Sequence, residues 1–461
     1  MNNEIKKILS AEFSFENNVI VLEKTNLTLT VGISDKNNHK IINDISFNTG
    51  YQVVPKELQA DLIFSKLSEM FPEYAKKTVV KNPGKEINHN ENSNIEYVNQ
   101  IINSAISSKA SDIHFEVSEK SFRIRFRIDG HLRDISTMPK EKFPALVSRL
   151  KIMANLDIAE KRRPQDGKIR HIYNGRNIDI RMSSLPSSFG EKIVLRILDK
   201  SNQVLNLKNI GLNEVQYKKF TDRITLPFGM ILITGPTGSG KTTSLYAALN
   251  EIHSEDKNIL TIEDPIEYNL TGINQCQVNP DIGFTFANAL KTFLRQDPDV
   301  IMVGEIRDKE TAEIAIRSAL TGHLVFSTIH TNDSVSAVTR LTDMGVEPFL
   351  VASAVKLIIA QRLVRNLCSC KKETGDSDPL KKYTAEGCVN CNFTGYSGRT
   401  ALFELFSINE KISSMITSEA GSLEIKKELK NNGFITLREA GVEKVNHGIT
   451  TYEEVLRETM V

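Results

Sequence analysis

The chain has 461 residues, 40% hydrophobic and 25% charged, a composition of globular proteins that predicts about two to four domains. Its 58 Lys and Arg balance 57 Asp and Glu to a net charge of +1, which excludes a dominant electrostatic attraction to nucleic acid or to an anionic membrane. No run of about 18 apolar residues occurs, and Glu4, Lys6 and Lys7 are not followed by a secretory apolar core, so the cytosol is the expected compartment.

Residues 1–81 mix short β-like runs (Val19 to Leu22, Leu27 to Val31) with a helical stretch from Leu58 to Met70, an α+β pattern without a chemistry-bearing motif. Residues 82–94 contain Pro83, Gly84 and five asparagines and read as a linker. From 95 to 200 a second α+β domain is expected. Ile95, Val98, Ile101, Ile102, Ala105 and Ile106 recur at helical spacing. Phe122 to Ile128 alternates apolar and charged residues up to an Asp129-Gly130 turn, the pattern of a half-exposed strand. A helix over Phe143 to Leu156 and strands at Ile178 to Met182 and Lys192 to Leu198 complete a sheet of about four or five strands. Residues 201–208 read as a second linker. From 209 to 461, apolar strand runs at Met230 to Thr234, Ile259 to Ile262, Val300 to Val303 and Leu324 to Ser327 alternate with helical segments. That alternation predicts a mostly parallel, helix-covered sheet with ligands at the carboxyl ends of its strands.

The motifs fall at those ends. Gly235-Pro236-Thr237-Gly238-Ser239-Gly240-Lys241-Thr242 fits G-x-x-x-x-G-K-[ST], the phosphate-binding loop of nucleoside triphosphatases. Its glycines let backbone N–H groups converge on phosphate, and the helix that follows, starting around Thr243, adds a partial positive charge. Lys241 is expected on the β- and γ-phosphates and Thr242 on Mg²⁺. Glu263 and Glu267 end the second strand and are candidate bases for water. Asp297 to Asp308 is an apolar strand followed by Glu305, with Gly304 expected to let the backbone pass close to the phosphate loop. His323 and His330 bracket a fourth strand whose end, Thr328 to Asn332, is a polar cluster suited to sensing a γ-phosphate; strand-end histidines are also common structural hydrogen bonders. Arg181 and Arg196 lie in the second domain and Arg295 before the acidic strand; each could be a phosphate finger or an ordinary ion-pair arginine. Cys368, Cys370, Cys388 and Cys391 could form a structural zinc site, with 17 residues between the pairs and a C-x-C in place of the commoner C-x-x-C. The fifth cysteine, Cys276, falls in an alternating strand and reads as core.

Taken together, Ser111 to Glu116, Arg127-Ile128-Asp129-Gly130, Arg163 to Gly167, Leu185-Pro186, Gly190-Glu191, the phosphate loop, Thr261 to Glu267, Leu294 to Asp299, Gly304 to Asp308 and His330-Thr331-Asn332 resemble the hexameric ATPases of type II secretion and type IV pilus assembly. The resemblance covers the chain from about Ile95 onward. It implies a RecA-like P-loop core over 209–461, a preceding PAS-like α+β domain, and a small N-terminal docking domain at 1–81. It implies a homo-hexamer using ATP, Mg²⁺ and Zn²⁺, cytoplasmic and peripherally attached to the inner membrane through a platform protein and a cytoplasmic docking protein, with no nucleic acid. It makes Glu263 the general base, Glu305 the Walker B acid, Arg181, Arg196, Arg295 and His330 catalytic, and His323 and Thr243 part of the nucleotide site. Lys291 stands where relatives often have a second arginine. The cysteine cluster, within a subdomain at about 366–400, and Gly395 to Thr400 with Glu404 point to the assembly branch. Retraction motors usually lack the cluster. A retraction motor or a DNA-directed motor of the same fold is the alternative.

Overall fold

The computed structural model describes residues 8–25, 27–34, 36, 38–71, 91–199, 206–375, 380 and 382–460. The expected linker at 82–94 lies outside them up to residue 90, and that at 201–208 up to residue 205. The chain groups into two units: residues up to 169 with 182–196 and 386–395, and residues 170–181, 197–385 and 396–461.

In the N-terminal region β1 (Val19–Lys24) pairs antiparallel with β2 (Thr28–Ile33), which pairs parallel with β3 (Gln52–Glu57). Leu29 and Val31 alternate inward onto Ile45 of the helix His39–Thr49, so a small core suffices for this piece.

A helix, Glu91–Ser107, precedes β4 (Ala110–Val117), β5 (Ser121–Ile128), β6 (His131–Pro139), β7 (Gln165–Tyr173), β8 (Arg176–Ser187) and β9 (Gly190–Leu198). They form a six-stranded sheet in the order β6-β5-β4-β9-β8-β7, more strands than the sequence predicts. The edge strand β6 buries no residue fully, so it lacks the apolar alternation that would reveal it. Phe122, Ile124 and Phe126 of β5 are buried, while Arg123, Arg125 and Arg127 face the other way.

The nucleotide-type core is a seven-stranded sheet. It is built from β10 (Gly229–Thr234), β11 (Ile259–Glu263), β12 (Asn274–Gln277), β13 (Val300–Val303), β14 (Leu324–Ile329) and β15 (Val355–Leu367), with a two-residue pair β16 (Lys372–Glu373) and β17 (Tyr383–Thr384) set apart, and β18 (Tyr396–Ser407). The order is β12-β11-β13-β14-β10-β15-β18. All neighbours are parallel except β15 and β18. Along β10, Met230 and Leu232 enter one core and Ile231 and Ile233 the other, so helices cover both faces, as a parallel sheet requires. The core is RecA-like. The apolar stretch from Pro348 to Ala360 resolves into a short helix, Pro348–Ala354, and the start of β15. Among the described residues no helix is long and apolar enough to cross a membrane.

Candidate active site

The phosphate loop leaves the end of β10 between β14 and β15 and runs into the helix Lys241–Ile252. Gly235 must be glycine: its φ is +150°, and a Cβ there would lie 2.5 Å from the Gln361 carbonyl oxygen and 2.7 Å from Ser239 Oγ. Gly240 caps the helix at φ +86°. Pro236, Thr237 and Gly238 are exposed, Ser239 is buried, and Lys241, Thr242 and Thr243 fill the first helical turn. Ser239 Oγ is buried without a hydrogen-bond partner, which fits a loop shaped for an oxygen-rich ligand. Lys241 Nζ donates to the carbonyls of Gly235 (2.8 Å) and Pro236 (3.1 Å). Burial pulls the Lys241 ammonium below its usual range; the Glu305 charge opposes this and the Arg362 charge adds to it.

Glu305 follows β13 and is mostly buried. One carboxylate oxygen lies 2.5 Å from Arg307 Nη2 and the other 3.3 Å from His330 Nε2. The acid and the strand-end histidine therefore meet. The β14 end is tied to the β10 end, since Thr234 Oγ1 accepts from the Thr331 N–H (2.8 Å) and lies 2.7 Å from Thr331 Oγ1. Thr328 Oγ1 donates to the Gly304 carbonyl (2.8 Å). Gly304 approaches β11, 3.3 Å from the Ile262 oxygen to a built Cβ, and not the phosphate loop as expected. Its N–H donates to that same carbonyl, so the ladder sets its neighbour.

Glu263, the other strand-end acid, is enclosed. It is 3% exposed, and its carboxylate accepts from the Tyr246 hydroxyl, from Thr261 Oγ1 (2.7 Å) and from Gln275 Nε2 (3.0 Å). A carboxylate held by three donors inside the sheet ties together β11, β12 and the helix Lys241–Ile252. Burial first, and Glu263 second, push the Tyr246 phenol well above its usual range, so it remains a donor. The rings of Tyr246 and Tyr268 pack edge-on at 4.6 Å. Glu267, by contrast, is half-exposed and pairs with Arg181: Nη1 lies 3.7 Å from its carboxylate, and Nη2 donates to the Ile266 carbonyl (3.2 Å).

Two expected site residues of this unit, His323 and Arg295, are not brought to this loop, and Arg196 is paired within its own unit. Arg196 Nε bonds Asp112 Oδ1 (3.1 Å) between β9 and β4, where Arg127 also pairs with Asp112. His323 precedes β14 at its amino end: its carbonyl accepts from Gly229 N, at the start of β10, and its Nδ1 lies 3.0 Å from the Ser318 carbonyl. Because β10 and β14 are parallel, His323 and the loop occupy opposite ends of the sheet. Arg295 shares that far end. The helix Phe286–Phe293 returns the chain there, and the next carbonyls, Gln296 and Asp297, accept from Asn258 just before β11. Arg295 itself bonds the Lys291 carbonyl, and Lys291 pairs with Glu310.

The sulfurs of Cys368, Cys370, Cys388 and Cys391 lie within 4.8 Å of one another. Tetrahedral zinc thiolates, with Zn–S about 2.3 Å, need sulfurs roughly 3.8 Å apart. The Cys388 to Cys391 separation is 3.8 Å, so the donor set fits zinc despite the short C-x-C. Cys276 is half-buried on β12 and packs against the main core, as expected.

Sequence reasoning missed Tyr246, Gln275, Gln361 and Arg362. Gln361 Oε1 accepts from Ser244 Oγ (2.8 Å), and Arg362 is buried beside it. The signal was a polar pair inside the apolar run of β15, which has no place in a fully buried strand without partners.

Residues 88–457 match the family model "Type II/IV secretion system protein". The chain is 49% identical over 378 residues to the type II secretion system ATPase E of Vibrio cholerae serotype O1, covering 79% of this chain and 75% of that one. It is 42% identical over 493 residues to the type IV pilus assembly ATPase PilB of Myxococcus xanthus, covering 99% and 87%. Among solved structures, the ATPase DotB of Legionella pneumophila matches with TM-score 0.61 at 21% identity, over 81% of this chain and 96% of that one, which bears on the fold. The pilus retraction motor PilT with ADP matches with TM-score 0.54 at 27% identity, over 78% and 96%. The chain therefore belongs to the type II/IV secretion system protein family, ATP-hydrolysing motors of secretion and pilus assembly.

Proposed function

We propose that this chain is the ring-forming, hexameric ATPase that drives assembly of a type IV pilus or a type II pseudopilus from the cytoplasmic side of the inner membrane. The observation that carries the reading is the convergence at one sheet end of the phosphate loop, Glu305 and His330. The four-thiol cluster favours the assembly branch over a retraction motor. Bound zinc would be structural, since four thiolates leave no open coordination position.

In this reading the 235–240 backbone and the Thr243 turn hold the phosphates. Lys241 exchanges its loop carbonyls for the β- and γ-phosphate oxygens. Thr242 would hold Mg²⁺, which would supply positive charge against the phosphates. Glu305 orients the attacking water, steered by His330 and Arg307. Glu263 acts by holding the loop helix in place, and Arg181 by clamping the 266–267 turn. Arg295 and His323 serve a nucleotide only across a subunit boundary, and Arg196 does so only after leaving Asp112. The expected partners are an inner-membrane platform protein and a cytoplasmic docking protein bound by 1–81.

The test is turnover and mass measured together. The purified chain with ATP and Mg²⁺ should sediment as a hexamer and release phosphate. Lys241→Ala should bring turnover to background while leaving the folded spectrum unchanged. Wild-type-like phosphate release by that variant would sink the assignment.

A further inference from the structure

Arg362 enters none of the roles above, yet it is 7% exposed and lies under the phosphate loop. The placement follows from register. In the β10–β15 pairing Thr234 aligns with Ala360, so Gln361 and Arg362 run just past the end of β10, where the loop turns away. A Cβ built on Gly235 would lie 3.3 Å from Arg362 Nη1. The guanidinium donates in two directions, from Nη1 to the Gln361 carbonyl (3.1 Å) and from Nη2 to the Asn332 carbonyl (2.8 Å). Asn332 closes the polar segment His330-Thr331-Asn332 at the end of β14. One planar fork thus abuts the first residue of the loop and grips the backbone of the sensing segment.

A buried guanidinium needs negative charge nearby. Burial pulls Arg362 below its usual range, and the charges of Glu458, Glu404 and Asp333 oppose that. Glu404 accepts from Ser334 N (2.9 Å), Ser334 Oγ (2.6 Å) and Leu437 N (3.1 Å), and Asp333 pairs with Lys426 (2.8 Å). The acids whose charge favours the guanidinium are themselves bonded to other groups. A second tie, Thr234 Oγ1 to Thr331, runs parallel to the fork.

We propose that Arg362 is a positioning residue that sets the spacing between the phosphate loop and the 330–332 segment, so that both address the same terminal phosphate. The proposal rests on the loop at 235–242 being the nucleotide site. Its consequence is selective. A diphosphate is held by the loop alone and needs no fixed spacing. The terminal phosphate of ATP lies between the two segments and does.

Arg362→Lys keeps the buried charge but cannot bridge two carbonyls with one rigid fork. It should lower kcat about tenfold or more while ADP affinity changes less than about twofold. Thr234→Val, which removes the parallel tie at nearly constant volume, should give the same split, and it carries the test if the lysine variant does not fold. Equal kcat in variant and wild type overturns the proposal. So does a parallel loss of ADP and ATP binding, which would mark Arg362 as structural only. Wild-type protein that neither binds nor hydrolyses ATP would overturn the underlying site assignment, a result distinct from both.

Discussion

Glu263 and Glu305 are both acids at strand ends, and their surroundings separate them. Glu305 meets a half-exposed histidine and an arginine; Glu263 meets a buried tyrosine, a threonine and a glutamine. Glu305→Gln should retain ATP binding and lose turnover by about 100-fold or more, since a water-orienting carboxylate is needed mainly in the transition state. Glu263→Gln should keep turnover within about tenfold of wild type and instead lower stability by about 2 kcal/mol, because the Tyr246 donor loses a charged acceptor in a buried network. Steady-state kinetics and urea unfolding on both variants check this, and the reverse pattern would restore Glu263 as the base. The sequence displayed both acids at strand ends but not which was enclosed. Tyr246 and Gln275, which enclose Glu263, come from 17 residues before it and 12 after it.

At the scale of elements, legibility followed burial. β10, β11, β13 and β14 are fully buried, so their apolar runs identify them in the sequence. The edge strand β6 and the minimal β16–β17 pair carry no such run. The cysteine motif was legible as four residues but not as a site, because C-x-C spacing leaves the approach of the two pairs open. The structure closes it to 4.8 Å. Purified protein should carry about one zinc per chain, and Cys388→Ser should reduce that stoichiometry by at least about half under metal analysis, with a lower thermal midpoint. Full zinc retention would refute the assignment. In the six-stranded sheet, Glu116 on β4 meets Arg123, Arg125 and Lys192 from its neighbours β5 and β9. Burial raises this carboxyl, but the hydrogen bonds from Arg125, Lys192 and Arg123 outweigh it and hold it at about 2, against an ordinary 4.5. A depressed carboxyl contributes stability that is present above the unfolded value and lost as pH falls through the folded one. Unfolding monitored between about pH 5 and pH 2 should show this loss, and Glu116→Gln should flatten that part of the profile.

At the scale of the whole molecule, parallel strands put the start and end of each strand at opposite ends of the sheet. That alone sends Arg295 and His323 away from Lys241 within one chain. If they act on nucleotide through a neighbour, turnover per chain should rise with protein concentration and plateau as the ring forms; a concentration-independent rate would exclude a trans role. The sequence by itself determined the class of chemistry, the βαβ core and the family. Phosphate binding depends on a contiguous loop with local glycine geometry, and buried strands announce themselves by local hydrophobicity. Only the tertiary structure decided which acid is held by donors, which arginine lies under the loop and which histidine pairs with Glu305. Those outcomes depend on strand order and register, which join residues far apart in the chain: Arg362 reaches Asn332 because β10 separates β15 from β14 by one strand.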